Sequence, residues 1–330
     1  MNHDSTFMTI ENSTMIKGGL ALCILIHHIL EFVSNSETIY PVHIGYLFVA
    51  AFFWISGYGV RKSLLKKEQY LDGFLAKSIS KLYVPFLVVS AIYIGVRYCF
   101  GITYSLKMIL TSMIGIRTIA SFSWFVFEII ALYIVFYFAF VVSRKYGELL
   151  VFLTTLAFIW FAYQKEMDTY WYVSTLAFPF GMFTASREEV FVKYILKSKK
   201  ICLVCGILLF VATFGASTDI LGKFFYSQDA VQIISNISAI MASLFACVVV
   251  GILASRMKGK NHRFLTFWGK NSYELYLMQG LFVRGFKEIV IISNDFLYAA
   301  VAVAFSLGAA LIFKQLLKNT RGKFGQIVYR

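Results

Sequence analysis

Ten apolar segments alternate with short polar connectors along the chain, at approximately 15–34, 43–61, 81–100, 122–143, 148–164, 169–186, 200–217, 230–254, 271–292 and 295–317. Each is close to the roughly 20 residues that a helix needs to cross a bilayer. The eighth is free of charge from residue 230 to residue 255. The fifth is short, and so is the sixth, where Pro179 and Gly181 predict a bent or tilted helix. The pattern predicts an all-α, polytopic integral membrane protein of about ten transmembrane helices. It forms a single transmembrane domain over 1–330, with a short N-terminal segment 1–14 and a basic tail 318–330. In the connector 61–81, the run KSLLKKEQYLDGFLAKSISK predicts an amphipathic helix lying on the membrane surface. No internal repeat or low-complexity tract is visible.

Charge gives the segments a direction. The chain carries a net charge of +14, and 24 of its 31 lysines and arginines fall in alternate connectors and at the two ends. The remaining connectors hold Lys107, Arg117, Lys165 and Lys223, while Arg97, Arg284 and Lys287 sit within segments. The positive-inside rule then predicts both termini in the cytoplasm and an even number of spans. Membrane lipid is the first partner of such a basic face, which also suits an anionic cofactor such as a coenzyme A derivative. No nucleic-acid module is present, and the basic runs have no soluble domain to mount them, so nucleic acid is excluded as a partner.

Composition agrees, at 59% hydrophobic and 15% charged, where a soluble domain carries about 25% charged residues. The mean hydropathy is +0.73. The first fourteen residues hold no Lys or Arg, so they lack the basic region of a signal peptide and the first span is expected to be retained. Cys202 and Cys205 make a C-x-x-C, but KKICLVCGILLF has no redox-fold pattern and no second ligand pair. With Cys23, Cys99 and Cys247 they read as small apolar residues, and no metal is expected.

The candidate chemistry concentrates in Lys17–Glu31, KGGLALCILIHHILE. On a helix, Lys17 and His28 fall about 20° apart on one face and roughly 16 Å apart along the axis. His27 is turned about 100° away. Glu31 reaches His28 at i+3 and His27 at i+4. Imidazoles inside a span are costly and mark function. A neutral His28 can take a proton from a hydroxyl as a general base, and Glu31 can fix its tautomer. Lys17 is either an interfacial anchor or a cation for a cofactor phosphate or a buried acid.

Other residues are weighed by their surroundings. Ser56-Gly57-Tyr58-Gly59 closes the second span, where small residues permit close helix approach. Ser56 has no local His or Asp triad and is not read as a nucleophile. Tyr58 is either an interfacial aromatic or a substrate contact. Glu128, inside SWFVFEIIALY, has no cation within a helical turn. It must be protonated or pair across helices, with Lys17, a His ring or Arg97 as candidates. Glu274 can meet Lys270 at i−4, and Arg284 and Lys287 either line an outer vestibule or snorkel.

Several stretches, in order, resemble the membrane-bound acyltransferase 3 family, which includes bacterial polysaccharide O-acetyltransferases. Lys17 through His28 resembles its first-helix signature of a basic residue, ten residues and a His, with Lys where Arg is commoner. AFFWISGYGV resembles its Phe-Phe…Ser-Gly-Tyr stretch, and KSISKLYVP its basic pair before Pro, with Lys77 and Lys81 replacing arginines. SWFVFEIIALY resembles its aromatic fourth-span motif. WGKNSYELYLMQG resembles its late Gly-Lys-Asn-Ser…Tyr-Leu motif, with Gln279 where His is frequent.

The resemblance implies an enzyme of the bacterial cytoplasmic membrane that moves an acyl group, usually acetyl from acetyl-CoA, to a hydroxyl of a cell-envelope glycan or lipid-linked sugar. In that reading His28 is the base, supported by His27, Glu31 and Glu128. Lys17, Arg61, Lys62, Lys77 and Lys81 meet the donor phosphates, and Ser56, Tyr58 and Tyr276 contact substrate. Two other classes remain open: a proton-coupled transporter or flippase using His28, Glu31 and Glu128 as a relay, and a non-catalytic assembly partner. Against transport, no repeat and no pair of matching broken helices is seen.

Overall fold

A computed structural model of the chain describes residues 7–33, 44–115, 117–196, 198–260 and 262–328. The first six residues of the N-terminal segment, Lys197 of a basic connector and the last two residues of the tail lie outside this set. Every regular element among the described residues is helical, and no strand occurs.

Each apolar segment contains one main helix. These are α1 (Ile10–Leu30), α2 (Gly45–Lys66), α3 (Phe74–Cys99), α5 (Trp124–Val142), α6 (Gly147–Gln164), α7 (Ala177–Ser186), α8 (Lys199–Gly215), α9 (Gln228–Met257), α11 (Ser272–Glu288) and α12 (Asp295–Val328). Shorter helices fall between them, among them α4 (Leu106–Met113) and α10 (Arg263–Lys270). By length and composition six can cross a membrane: α1, α3, α5, α6, α9, and α12 over Asp295–Asn319. The other four are shorter or more polar. α7 has 10 residues, α8 and α11 have 17 each, and the last turns of α2 carry Arg61, Lys62 and Lys66. The long helices expose Phe138, Phe152, Trp160, Phe305 and Ile312, and α8 exposes Phe210, a surface suited to lipid rather than water.

The amphipathic helix expected over 62–81 does not form as a separate element. α2 runs on to Lys66, a 3₁₀ turn covers Glu68–Leu71, and Gly73 turns the chain into α3 at φ +67°. The apolar residues of this stretch explain the difference. Leu64, Leu71 and Phe74 are buried in the main core, so burial extends the two helices instead of laying a third on the surface.

α2 is the hub of that core, with Phe53 and Trp54 fully buried beside Phe136 and Phe178. Its backbone meets α7 where a Cβ on Gly57 would lie 2.0 Å from the Phe178 carbonyl oxygen, and one on Gly181 would lie 2.1 Å from that of Trp54. α1 and α10 are locked in the same way. A Cβ on Gly18 would sit 2.0 Å from the Leu265 oxygen, and one on Gly269 would sit 1.8 Å from the Thr14 oxygen. Small residues at such crossings let helices pack backbone to backbone.

The start of α1 is also tied down. The Thr9 hydroxyl caps it by accepting from the Asn12 N–H, and the Asn12 amide donates to the Phe7 and Ala254 carbonyls. The buried Glu188 accepts from the Phe7 N–H at 2.8 Å, from the Tyr58 hydroxyl at 2.9 Å and from Lys62.

Candidate active site

With its N-terminus pinned, α1 carries Lys17, His27 and His28 along one wall of a cavity of about 830 Å³. The helical spacing read from sequence is realised. His28 Nδ1 lies 3.1 Å from Glu31 Oε2, and His27 Nε2 lies 3.4 Å from Glu31 Oε1. An ionised carboxylate only accepts, so Glu31 selects the His28 tautomer with the proton on Nδ1 and leaves Nε2 with its lone pair. Both rings are mostly buried, at 11% and 13% side-chain exposure.

Two features outside α1 hold the rings. Phe122 stacks on His28 with centroids 3.7 Å apart and planes 14° apart. It does so from a left-handed backbone conformation, φ +67°, which costs a non-glycine residue about 1–3 kcal/mol. The Tyr276 hydroxyl donates to the Phe122 carbonyl and holds that turn. Gly45, at the start of α2, packs against His27 so closely that a Cβ there would lie 2.2 Å from Nε2. Phe122 and Gly45 could not be found by reading α1 alone, because both contacts come from later in the chain.

The other expected residues divide by position. Ser56 and Tyr276 line the cavity, and the Ser56 hydroxyl is 2.8 Å from that of Tyr133, which also lines it. Tyr58 instead lines a second groove of about 400 Å³, together with Met8, Ser13, Lys62 and Lys66. Lys17 faces both spaces. Among the described residues, Lys17 Nζ has no carboxylate or hydrogen-bond acceptor within bonding distance.

Arg61 and Lys62 have carboxylate partners. Arg61 Nε donates to Glu148 at 2.7 Å and to Ser186 at 2.8 Å, and Lys62 meets Glu188. Lys77 and Lys81 are exposed on the first turns of α3. Arg97 pairs with Glu288 at 3.3 Å and so does not serve Glu128. Glu274 lies 4.0 Å from Lys314 rather than against Lys270, because Lys314 of α12 reaches over to the Lys270 carbonyl. Arg284 and Lys287 are engaged by Glu288 and Asp295.

Glu128 is 4% exposed, does not line the cavity, and has no hydrogen-bond partner at either oxygen among the described residues. Gln279 was not read as a site residue, yet it is 1% exposed, lines the cavity and leaves both amide atoms unpaired. A buried amide without a partner costs about 1–3 kcal/mol. Gln279→Leu therefore keeps or raises thermal stability, since no internal hydrogen bond is lost. A detergent-phase melt checks this, and a melting point several degrees lower would show that the fold itself uses the amide. Across the cavity Arg117, Asp168, Tyr170 and Trp171 line the wall from connecting segments. Trp124 packs against Tyr170 and Trp171 with centroids 5.1 and 5.9 Å away.

A mostly apolar cavity with a few convergent polar groups and an oriented imidazole has the form of a reaction site. The family model described as an acyltransferase domain matches residues 11–314, and the chain belongs to that family, acyltransferase 3. Neither a curated protein nor a solved structure matched. Family membership and the six long apolar helices together define a multi-pass membrane acyltransferase.

Proposed function

We propose that the protein is an O-acyltransferase of the bacterial cytoplasmic membrane, moving an acetyl group from acetyl-CoA to a hydroxyl of an envelope glycan or lipid-linked sugar. The observation that carries this is His28 itself. Its Nδ1 faces Glu31 at 3.1 Å, its ring stacks on Phe122, and it shares a cavity with Lys17, which has no partner among the described residues. His28 Nε2 takes the proton of the acceptor hydroxyl as the oxygen attacks the thioester carbonyl. The new ester forms, the carbon–sulfur bond breaks, and the thiolate leaves with the proton returned by the imidazolium. Glu31 stabilises that imidazolium and holds its orientation, as the acid of a Ser-His-Asp triad does.

The donor approaches along the second groove, where Lys17 and Lys66 present ammonium groups as point charges to its phosphates, while Lys62 beside them is held by Glu188. Lys77 and Lys81 extend the positive field at the start of α3. Gln279, Ser56 and the aromatic wall of Trp124, Tyr170 and Trp171 contact the acceptor. The chain crosses the membrane ten times with both termini cytoplasmic, which puts the groove on the side that holds acetyl-CoA.

Mass spectrometry of envelope glycans, from cells with and without the protein, tests the reading. Loss of an acyl mass in the deletion is expected, together with label transfer from radioactive acetyl-CoA in purified membranes. An unchanged glycan profile with no label transfer would return the protein to the transport reading.

A further inference from the structure

The groups that orient the base also form a metal-binding constellation. One ligand atom each from His27, His28 and Glu31 lies within 4.8 Å of the others. We infer that this trio binds a zinc-class divalent ion, and that the ion switches off the base rather than assisting it. The inhibitory half rests on the acyltransferase reading; the binding half does not.

The donor set decides the ion. Two imidazole nitrogens and one carboxylate suit Zn²⁺, Co²⁺, Ni²⁺ or Cu²⁺, whereas Mg²⁺ and Ca²⁺ prefer oxygen. Zinc bonds of about 2.0–2.2 Å place tetrahedral ligands roughly 3.4 Å apart. Glu31 stands 3.1 Å from His28 Nδ1 through Oε2 and 3.4 Å from His27 Nε2 through Oε1. Rotation of the side chains has to bring one oxygen and the two ring nitrogens, which lie within 4.8 Å of one another, to that spacing. The stack on Phe122 and the contact of Gly45 with the Nε2 end of His27 restrain the two rings, as supporting residues do in metal sites. All three groups line the open cavity, which gives the ion a way in and leaves a fourth position for water.

The inhibition follows from the tautomer. A neutral imidazole coordinating through Nδ1 keeps its one proton on Nε2. That is the atom whose lone pair has to receive the acceptor's proton. Coordination moves the proton from Nδ1 to Nε2, with no net release, and also withdraws Glu31. Bound metal therefore blocks the base at both nitrogens.

The test uses the purified full-length protein in nanodiscs, titrated with Co²⁺ and followed by its visible absorption. One saturable Co²⁺ per chain is expected, displaced by Zn²⁺. His28→Ala and the near-isosteric Glu31→Gln should each weaken binding by about tenfold or more, with unchanged gel-filtration profiles. Absence of a saturable one-to-one phase, or equal affinity in folded Glu31→Gln, overturns the site. In parallel, Zn²⁺ should suppress acyl transfer, EDTA should restore it, and Mg²⁺ should leave it alone. Stoichiometric Zn²⁺ binding with undiminished transfer overturns the inhibitory role. The Co²⁺ measurement needs no acyl transfer, so it stays decisive if the acyltransferase reading fails.

Discussion

His28→Ala lowers acyl transfer by about 10²–10⁴-fold, the range that a positioned general base contributes. The expectation rests on the ring's confinement rather than on its presence in an apolar span. Glu31 holds Nδ1, Phe122 covers one ring face, and Nε2 is left to act. The loss should appear mainly in the maximal rate with saturating acetyl-CoA, because the ring acts on the acceptor's proton and not on the donor's phosphates. Glu31→Gln should lose less, since the Gln carbonyl can still accept from Nδ1 but cannot balance an imidazolium. Transfer of labelled acetyl by purified, correctly inserted protein gives both numbers. A wild-type rate in His28→Ala would remove the ring from the reaction.

The second large effect is structural and falls on the residue next to Lys17 and its contact on α10. Gly18→Ala or Gly269→Ala should cost more than the about 1–3 kcal/mol of ordinary overpacking, and should sharply reduce the yield of folded protein. Each new Cβ would lie 2.0 Å or less from a backbone carbonyl oxygen, where 3.4 Å is the near edge of ordinary contact. A carbonyl in a helix cannot swing aside as a flexible side chain can. α1 and α10 would have to part by more than an ångström. Gly19 supplies the control, since its Cβ would meet nothing within 4 Å. Gly19→Ala should be neutral or stabilising by up to about 1 kcal/mol, because alanine loses less backbone freedom in a helix. Fluorescence-detected gel filtration and thermal melts compare the variants. Equal stability of Gly18→Ala and Gly19→Ala would contradict the packing of α1 on α10.

The one-dimensional pattern reached far into this fold because helices are local. Each apolar segment contains a helix, and the i+3 and i+4 spacing of Glu31 from the two rings appears as two short contacts. The shared face of Lys17 and His28 likewise became a shared cavity. What periodicity could not supply was contact between distant segments. The carboxylates that occupy Arg61 and Lys62 stand 87 and 126 residues away, on α6 and after α7. Tyr58 looked like a site residue by its neighbours in sequence, yet its hydroxyl is spent on Glu188. Gln279 stands where the late motif frequently has His, so the resemblance gives it no catalytic role. Its signal is burial without a partner, which exists only in three dimensions. The surface helix expected over 62–81 failed because its amphipathic pattern was also that of two helix ends dipping into the core.

The fastening of α1 bears on how a reaction cycle can run. The helix is clamped near its start by Asn12, at its crossing by Gly18 and near its end by Phe122. In the proposed reaction the proton acceptor is held at three points along one helix, unlike the moving elements of alternating-access machines. The imidazole is a stationary anvil. On the proposed reaction, donor and acceptor are both delivered to it through the open cavity, whose far wall carries Arg117 and Asp168.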